Sequence, residues 1–279
     1  MKEQEKEKQN DGGIQDNTEN EILEQGDIYF FYRPKKNSPE VKGMDDVRRF
    51  FMVTAPDIKH ENLQNSSKDK NQFYRLFVIG KKSLPEIRKS EARSSERFWA
   101  RVGGIFREKK EITDELFSDE FRKGDVARPA GIGKYAIIKH QNHAELAYIL
   151  ENPDEPGEAQ KEFGIEKEAS YIISVINPKQ PTPEGYPSSE ESPKYPEKVL
   201  REFDKNENFV SLSKDTDFIN YLNAQVILIG AREGKDDIKK ELGIDIEDLA
   251  STKTRDIFKE LNIRKGQIPT RPLTEGKLE

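Results

Sequence analysis

The hydrophobic pattern predicts that most apolar side chains lie in short strands separated by polar turns. The clearest run is residues 28–32, Ile-Tyr-Phe-Phe-Tyr, which follows a Gly26-Asp27 turn and ends at Arg33-Pro34. β-Branched and aromatic residues favour strands, whereas proline cannot donate to a strand ladder. Similar runs predict strands at residues 49–53, 73–79, 98–102, 134–139, 170–176, 209–212 and 224–229. The first three strands, joined by loops, are typical of an antiparallel meander.

Short helices are predicted between and after these strands. Pro85 suits the first turn of a helix at 84–96, and Gly243 suits the end of a helix at 236–242. Residues 144–150 could be a strand or a helix, because their length does not decide between the two. Further helices are predicted at 156–163 and 254–261, whereas residues 111–121 are ambiguous and could be helical. The fold class predicted from these elements is α+β, with a β-rich, mainly antiparallel body and a smaller C-terminal α/β segment.

Changes in composition predict how the chain is organised into domains. The first 25 residues have almost no apolar side chains and cannot offset their ordering entropy, which is typical of a disordered tail. Six prolines between residues 178 and 196, among Ser, Glu and Gly, indicate a loop or linker. The predicted parts are an acidic disordered tail at 1–25, a β-rich main domain at 26–176, a Pro-rich loop or linker at 177–205, an α/β segment packed on the main domain at 206–265, and a C-terminal coil at 266–279.

The overall composition excludes several classes of protein. The 279-residue chain is 33% hydrophobic and has no cysteine, which excludes disulfides, thiolate metal sites and cysteine nucleophiles. No apolar run approaches the roughly 20 residues that span a bilayer, and the first ten residues lack the apolar core of a secretory signal. We therefore expect a soluble, cytoplasmic protein without a membrane contact, and the sequence predicts no cofactor.

The net charge of −6 is distributed unevenly along the chain. Residues 1–25 carry −5, residues 26–140 carry +8 and the remaining residues carry −9. An asymmetry of this kind can mark an interaction surface, although a charge-rich soluble chain can also acquire it without a functional reason.

The most basic stretch, residues 81–110, has ten Lys and Arg against four acids, with aromatic residues between them. Its cations could neutralise phosphates while the only tryptophan stacks on a base. The alternative is that the tryptophan belongs to the core and the basic side chains simply face solvent. The candidates for a nucleic-acid or partner surface are Lys81, Lys82, Arg97, Trp99 and Arg101.

Two further groups of residues are candidates for binding an ion. Arg33, Lys35 and Arg128 could form an anion pocket if the two Arg-Pro turns meet, because an arginine fork binds phosphate or carboxylate bidentately. Solvated loop arginines are the alternative.

His140 and His143 are weak candidates for a metal, since their spacing matches one face of a helix but the pair follows a predicted strand. A polar turn is the alternative interpretation, and no metal is predicted.

Five runs of the sequence stand out together: GDIYFFYRPK, YRLFVIGKKSLPEI, ARPAGIGKYAI, HAELAYILENPDEPGEAQKEFGI and EASYIISVINP. They resemble a family of uncharacterised microbial proteins of similar length. The resemblance covers roughly residues 26–273, and it implies no activity, cofactor or catalytic residue, so it contributes no function. The Gly-Asp turn before an aromatic strand is also similar to small RNA-binding barrels of the PUA or EVE type, although the order of elements differs from theirs.

No catalytic motif stands out, and G-x-S-x-G is absent. The sequence therefore favours a non-enzymatic binding or adaptor protein that uses the basic half of the chain, with an unknown protein as its partner. The first alternative is an RNA- or DNA-binding protein that uses segment 81–110. The second is an enzyme that acts on an anionic metabolite held by Arg33 and Arg128.

Overall fold

Nine strands and seven short helices form the described part of the chain. A computed structural model describes residues 20–36, 38, 40–57, 73–87, 97–117, 126–183, 191–204, 206–252, 254–261 and 268–278. The strands are β1 (Glu21–Pro34), β2 (Val47–Pro56), β3 (Tyr74–Ile79), β4 (Arg97–Phe106), β5 (Arg128–His140), β6 (His143–Asn152), β7 (Glu168–Ile176), β8 (Phe209–Ser211) and β9 (Gln225–Glu233). The helices are α1 (Lys109–Phe117), α2 (Glu158–Glu162), α3 (Glu197–Arg201), α4 (Lys235–Leu242), α5 (Ile246–Leu249), α6 (Ile257–Glu260) and α7 (Arg271–Thr274).

Eight of the strands close into an antiparallel barrel. Around the barrel they follow the order β1, β2, β3, β4, β9, β7, β6 and β5, and β5 pairs back with β1. The short strand β8 lies outside the barrel and pairs with the last residues of β7. In the described chain no helix is both long and apolar enough to cross a membrane.

The predicted α+β fold class is therefore wrong, because the protein is mainly β. The longest described helix, α1, has nine residues, and the helices pack around the barrel without forming a layer of their own. The C-terminal segment also differs from an α/β unit packed on a main domain. It supplies β9, which lies between β4 and β7 and completes the barrel.

The barrel is filled by its own side chains. An eight-stranded barrel has an interior just wide enough for side chains to fill. Alternate residues of β1, among them Ile28, Phe30 and Tyr32, belong to one continuous core with inward-facing residues of the other seven strands. Phe163, from the turn after α2, stacks on Phe50 with 4.8 Å between the ring centroids. Phe163 is thereby packed into the end of the barrel where β2 begins.

Helices cover two sides of the outer surface of the barrel. Helices α1, α6 and α7 contribute Ile112, Ile257 and Leu273 to an apolar cluster with outward-facing residues of β1, β2 and β3. Helices α4 and α5 contribute Ile238 and Ile246 to a second cluster with outward-facing residues of β5 and β6. These amphipathic helices explain why β1, β5 and β6 are apolar on both faces.

Several element boundaries differ from those expected from the sequence. Strand β1 begins at Glu21, inside the segment predicted to be a tail, whereas residues 1–19 lie outside the described residues. Residues 144–150, which were ambiguous, belong to β6. Residues 84–87 are not helical, and the rest of the helix predicted at 84–96 lies outside the described residues.

Candidate functional site

Aromatic and basic side chains share the outer face of β4. Phe98, Ala100 and Val102 are buried, whereas the alternating residues Trp99 and Arg101 are partly exposed. Successive side chains of a strand point to opposite faces, so Arg97, Trp99 and Arg101 lie in one outward-facing row. The structure therefore brings three of the five sequence-predicted surface residues together on one strand.

Gly80 makes room for the indole ring of Trp99 at the end of β3. A Cβ atom on Gly80 would lie 2.2 Å from a ring carbon of Trp99, so any side chain there would displace the indole. The Gly80 N–H also donates to the Trp99 carbonyl oxygen at 2.9 Å. A glycine at this position therefore lets the ring lie against the backbone, which fixes its orientation on the barrel surface.

The four basic candidates differ in how tightly they are held. Arg101 donates to Asn223 Oδ1 at 2.5 Å, and Lys82 donates to the Val47 carbonyl oxygen at 2.7 Å. Lys81 and Arg97 are exposed. The Lys81 ammonium lies 4.3 Å from the Phe98 ring centroid, and the Arg97 guanidinium lies 5.9 Å from that of Phe209. These cation–π contacts orient the two exposed cations without burying them.

None of the described helices that form the two apolar clusters on the outer surface of the barrel covers the side around Trp99. Trp99 pairs in register with Ile227 of β9, and Arg97 pairs with Ile229. None of these four residues belongs to either of the apolar clusters that the described helices form on the barrel. These four residues and Arg101 define the outer face of β4 and β9, called here the Trp99 face. It combines partly exposed apolar, aromatic and cationic groups around Ile227, which is itself buried.

Two of the predicted anion residues, Arg33 and Arg128, lie on the neighbouring strands β1 and β5 and are buried. Arg33 is 3% exposed, donates to the Glu115 carbonyl oxygen and lies 5.3 Å from the Phe51 ring centroid. Arg128 is 2% exposed and faces Tyr32 across β1 and β5, whereas Lys35 is exposed. A ligand would have to displace contacts of Arg33 in order to reach its guanidinium. The anion pocket stays a prediction.

The two histidines face each other across the β5–β6 hairpin, with 5.1 Å between their ring centroids. His140 Nδ1 lies 3.0 Å from Asn20 Oδ1, and His143 Nε2 lies 3.1 Å from Glu145 Oε1. Burial lowers the pKa of His140. Within the ranges that the structure describes, no group of three or more His, Cys, Asp or Glu could hold a metal ion.

A buried carboxylate beside these histidines escaped the sequence analysis. Glu145 is fully buried, accepts a hydrogen bond from Ser170 Oγ at 2.7 Å and pairs with Arg232 of β9. The only signal for this cluster is the presence of polar residues at outward-facing positions of otherwise apolar strands. Because its partners come from three different strands, their proximity depends on closure of the barrel.

Comparisons with known proteins assign no family to the chain. A scan against protein-family models, a search of curated proteins and a search of solved structures each found no match. The chemistry of the chain's own residues therefore has to carry any functional assignment. At the Trp99 face, that chemistry consists of an aromatic surface for packing or stacking and guanidinium groups for carboxylates or phosphates.

Proposed function

We propose that this chain is a non-enzymatic binding protein whose partner docks on the Trp99 face. The observation that carries the proposal is a partly exposed tryptophan between two arginines, on a side of the barrel that the described helices do not cover. Tryptophan and arginine are the residues that most often dominate binding energy at protein interfaces. The cytoplasm is the compartment that we propose for this interaction.

The charge of the surface favours a protein partner with an acidic patch. Arg97 is exposed in the same row of β4 as Trp99, and Lys81, which is also exposed, follows Gly80 and contacts the Phe98 ring. The sequence around them, residues 26–140, carries +8. Opposite charges across an interface steer association and exclude wrong partners, which makes electrostatic complementarity a source of specificity here.

Two single substitutions on the Trp99 face, each measured separately, test this proposal. A partner captured from cytosol should be purified and its affinity measured by calorimetry against Trp99→Ala and Arg97→Glu. We expect each substitution to weaken binding by about 30-fold, which corresponds to the lower limit of a hot-spot residue. Lys198→Glu is the charge-matched control, because Lys198 is exposed on α3 and is not part of the Trp99 face. Equal affinity of all four proteins would refute the proposal.

Single-stranded nucleic acid is a second candidate for the same face. It is favoured by the exposed part of the indole, because aromatic rings flanked by cations are typical stacking platforms for bases. Trp99 is the only tryptophan, so its fluorescence reports on this face alone. Titration with a single-stranded oligonucleotide should quench this fluorescence, with an affinity that falls steeply as the salt concentration rises. An unchanged spectrum, or an affinity independent of salt, would leave the protein partner as the better assignment.

A further inference from the structure

A cavity separate from the Trp99 face lies between the outer surface of the barrel and the C-terminal helices. Its volume is about 690 Å³, which falls in the range of pockets that hold small organic ligands. Ile132 of β5 and the end of β6 form one wall, and residues of α6 and α7 form the other. The residues that line the cavity include Ile132, Glu151, Thr254, Phe258, Lys259 and Leu273.

The apolar part of the cavity has three side chains from three elements. Ile132 is 8% exposed and Leu273 is 5% exposed, so both are firmly held in the apolar cluster on this side of the barrel. Phe258 is partly exposed and packs against the same cluster. Together they provide a preformed hydrophobic surface for a ligand with an aliphatic or aromatic body.

Two carboxylates lie at the polar part of the cavity. Glu151 accepts a hydrogen bond from the Thr254 backbone N–H at 3.1 Å, and Asp256 caps α6 by accepting from the Phe258 N–H at 3.0 Å. Among the described residues, no Lys, Arg or His lies within ion-pair distance of Glu151 (4.0 Å). Glu151 is half-buried and still has lone pairs for a ligand that donates hydrogen bonds.

The side chain of Thr254 gives an independent indication of a ligand. Thr254 is 6% exposed, and its hydroxyl has no hydrogen-bond partner among the described residues. Buried polar atoms in proteins are nearly always hydrogen-bonded, because leaving one unpaired is costly. Thr254 lines the cavity and carries an unsatisfied hydroxyl, whose oxygen is buried in the structure and would reach a ligand by rotation of the side chain.

The charge balance of the site favours a cation. Arg255 is not available as a counter-charge, since it pairs with Asp27 and donates to the Ala55 carbonyl oxygen at 3.1 Å. Lys134 pairs with the same Asp27 at 2.6 Å. Arg255 also lies 3.9 Å from Asp57, so these two cations and two carboxylates balance one another in charge. Among the remaining described lining residues, Glu151 and Asp256 outnumber Lys259, which leaves one negative charge.

We propose that this cavity binds a small organic cation, a primary amine attached to an apolar body. The ammonium group donates to Glu151 and to the Thr254 hydroxyl oxygen, and the body packs on Ile132, Phe258 and Leu273. Charge-assisted hydrogen bonds of this kind are stronger than neutral ones, so the amine determines selectivity. The site is independent of the Trp99 face, and neither assignment depends on the other.

Three probes of nearly equal shape test the proposal on the full chain. Phenethylamine, 2-phenylethanol and phenylacetate share a phenyl ring and differ in carrying a positive, zero or negative charge. In calorimetric titrations at neutral pH, we expect the amine to bind at least about tenfold more tightly than the alcohol, with the carboxylate weakest. Tighter binding of phenylacetate, or saturation by none of the three at millimolar concentrations, would overturn the proposal.

Substitutions then locate the bound amine. Glu151→Gln keeps an acceptor for the Thr254 N–H but removes the charge, and we expect it to weaken the amine about 10- to 100-fold while leaving the alcohol unchanged. Thr254→Val should weaken the amine less. Glu162→Gln, an exposed position on α2 outside the cavity lining, is the matched control. Unchanged amine affinity in Glu151→Gln protein, shown to be folded by its unfolding transition, would place the amine elsewhere and refute the site.

Discussion

Glu24→Gln should lower the free energy of unfolding by about 3–5 kcal/mol, the usual cost of removing one partner of a buried ion pair. The Arg75 side chain is fully buried, and its two terminal nitrogens each donate to one oxygen of Glu24 at 3.0 Å. Glutamine has one acceptor oxygen, so it can accept only one of the two hydrogen bonds from Arg75, and it carries no charge. The guanidinium would therefore stay inside the barrel without a counter-ion, which is the costly arrangement.

The rest of the polar cluster cannot replace Glu24. Arg75 also donates to Asn220 Oδ1 at 2.6 Å and to Thr54 Oγ1 at 3.2 Å, but both partners are neutral. The Tyr135 hydroxyl donates to Glu24 Oε1 at 2.7 Å. Burial and the neighbouring Glu24 charge raise the pKa of Tyr135, so this hydroxyl remains protonated and cannot serve as an anion. Of the three residues that accept hydrogen bonds from Arg75, only Glu24 is charged.

Urea unfolding at pH 7 measures this effect, with Glu21→Gln as the control. Glu21 is exposed on the same strand, so its substitution should change stability by no more than about 0.5 kcal/mol. The double variant Glu24→Met with Arg75→Met should recover much of the loss, because replacing both members of a buried pair by apolar residues is often close to neutral. If Glu24→Gln cost less than about 1 kcal/mol, the ion pair would not be the buried counter-charge that the geometry indicates.

The location of the strands could be predicted from the sequence better than their arrangement. The aromatic run at residues 28–32 lies in β1, and the apolar run at 73–79 lies in β3 from Tyr74 onward, because local β propensity and burial agree there. Closure of the barrel depends on pairs such as Ile173 with Leu228, which are far apart in sequence and leave no local signal. That long-range pairing is why a barrel strand, β9, was predicted to belong to a separate C-terminal segment.

The same distinction applies to the candidate site. Alternation along β4 predicts that Trp99 and Arg101 share a face, but it does not show which face is outside the barrel. The strand predicted at residues 98–102 is longer in the structure, where β4 continues to Phe106, and a register shift accommodates Gly103 opposite β3. Burial of Arg33 could not be predicted either, since it depends on Glu115 of α1, which is 82 residues further along the chain.

Phe163→Ala should also be strongly destabilising, by about 3–5 kcal/mol, because it removes a large side chain from the end of a filled barrel. Phe163 is fully buried and stacks on Phe50 and on Tyr32, with 5.0 Å between the centroids of the second pair. Neither strand residue can fill the cavity without leaving its own packing position, so the cavity remains. Urea unfolding measures the loss, and Phe163→Leu, which keeps most of the volume, should lose clearly less. Equal losses for Ala and Leu would indicate that ring stacking, and not filled volume, closes this end of the barrel.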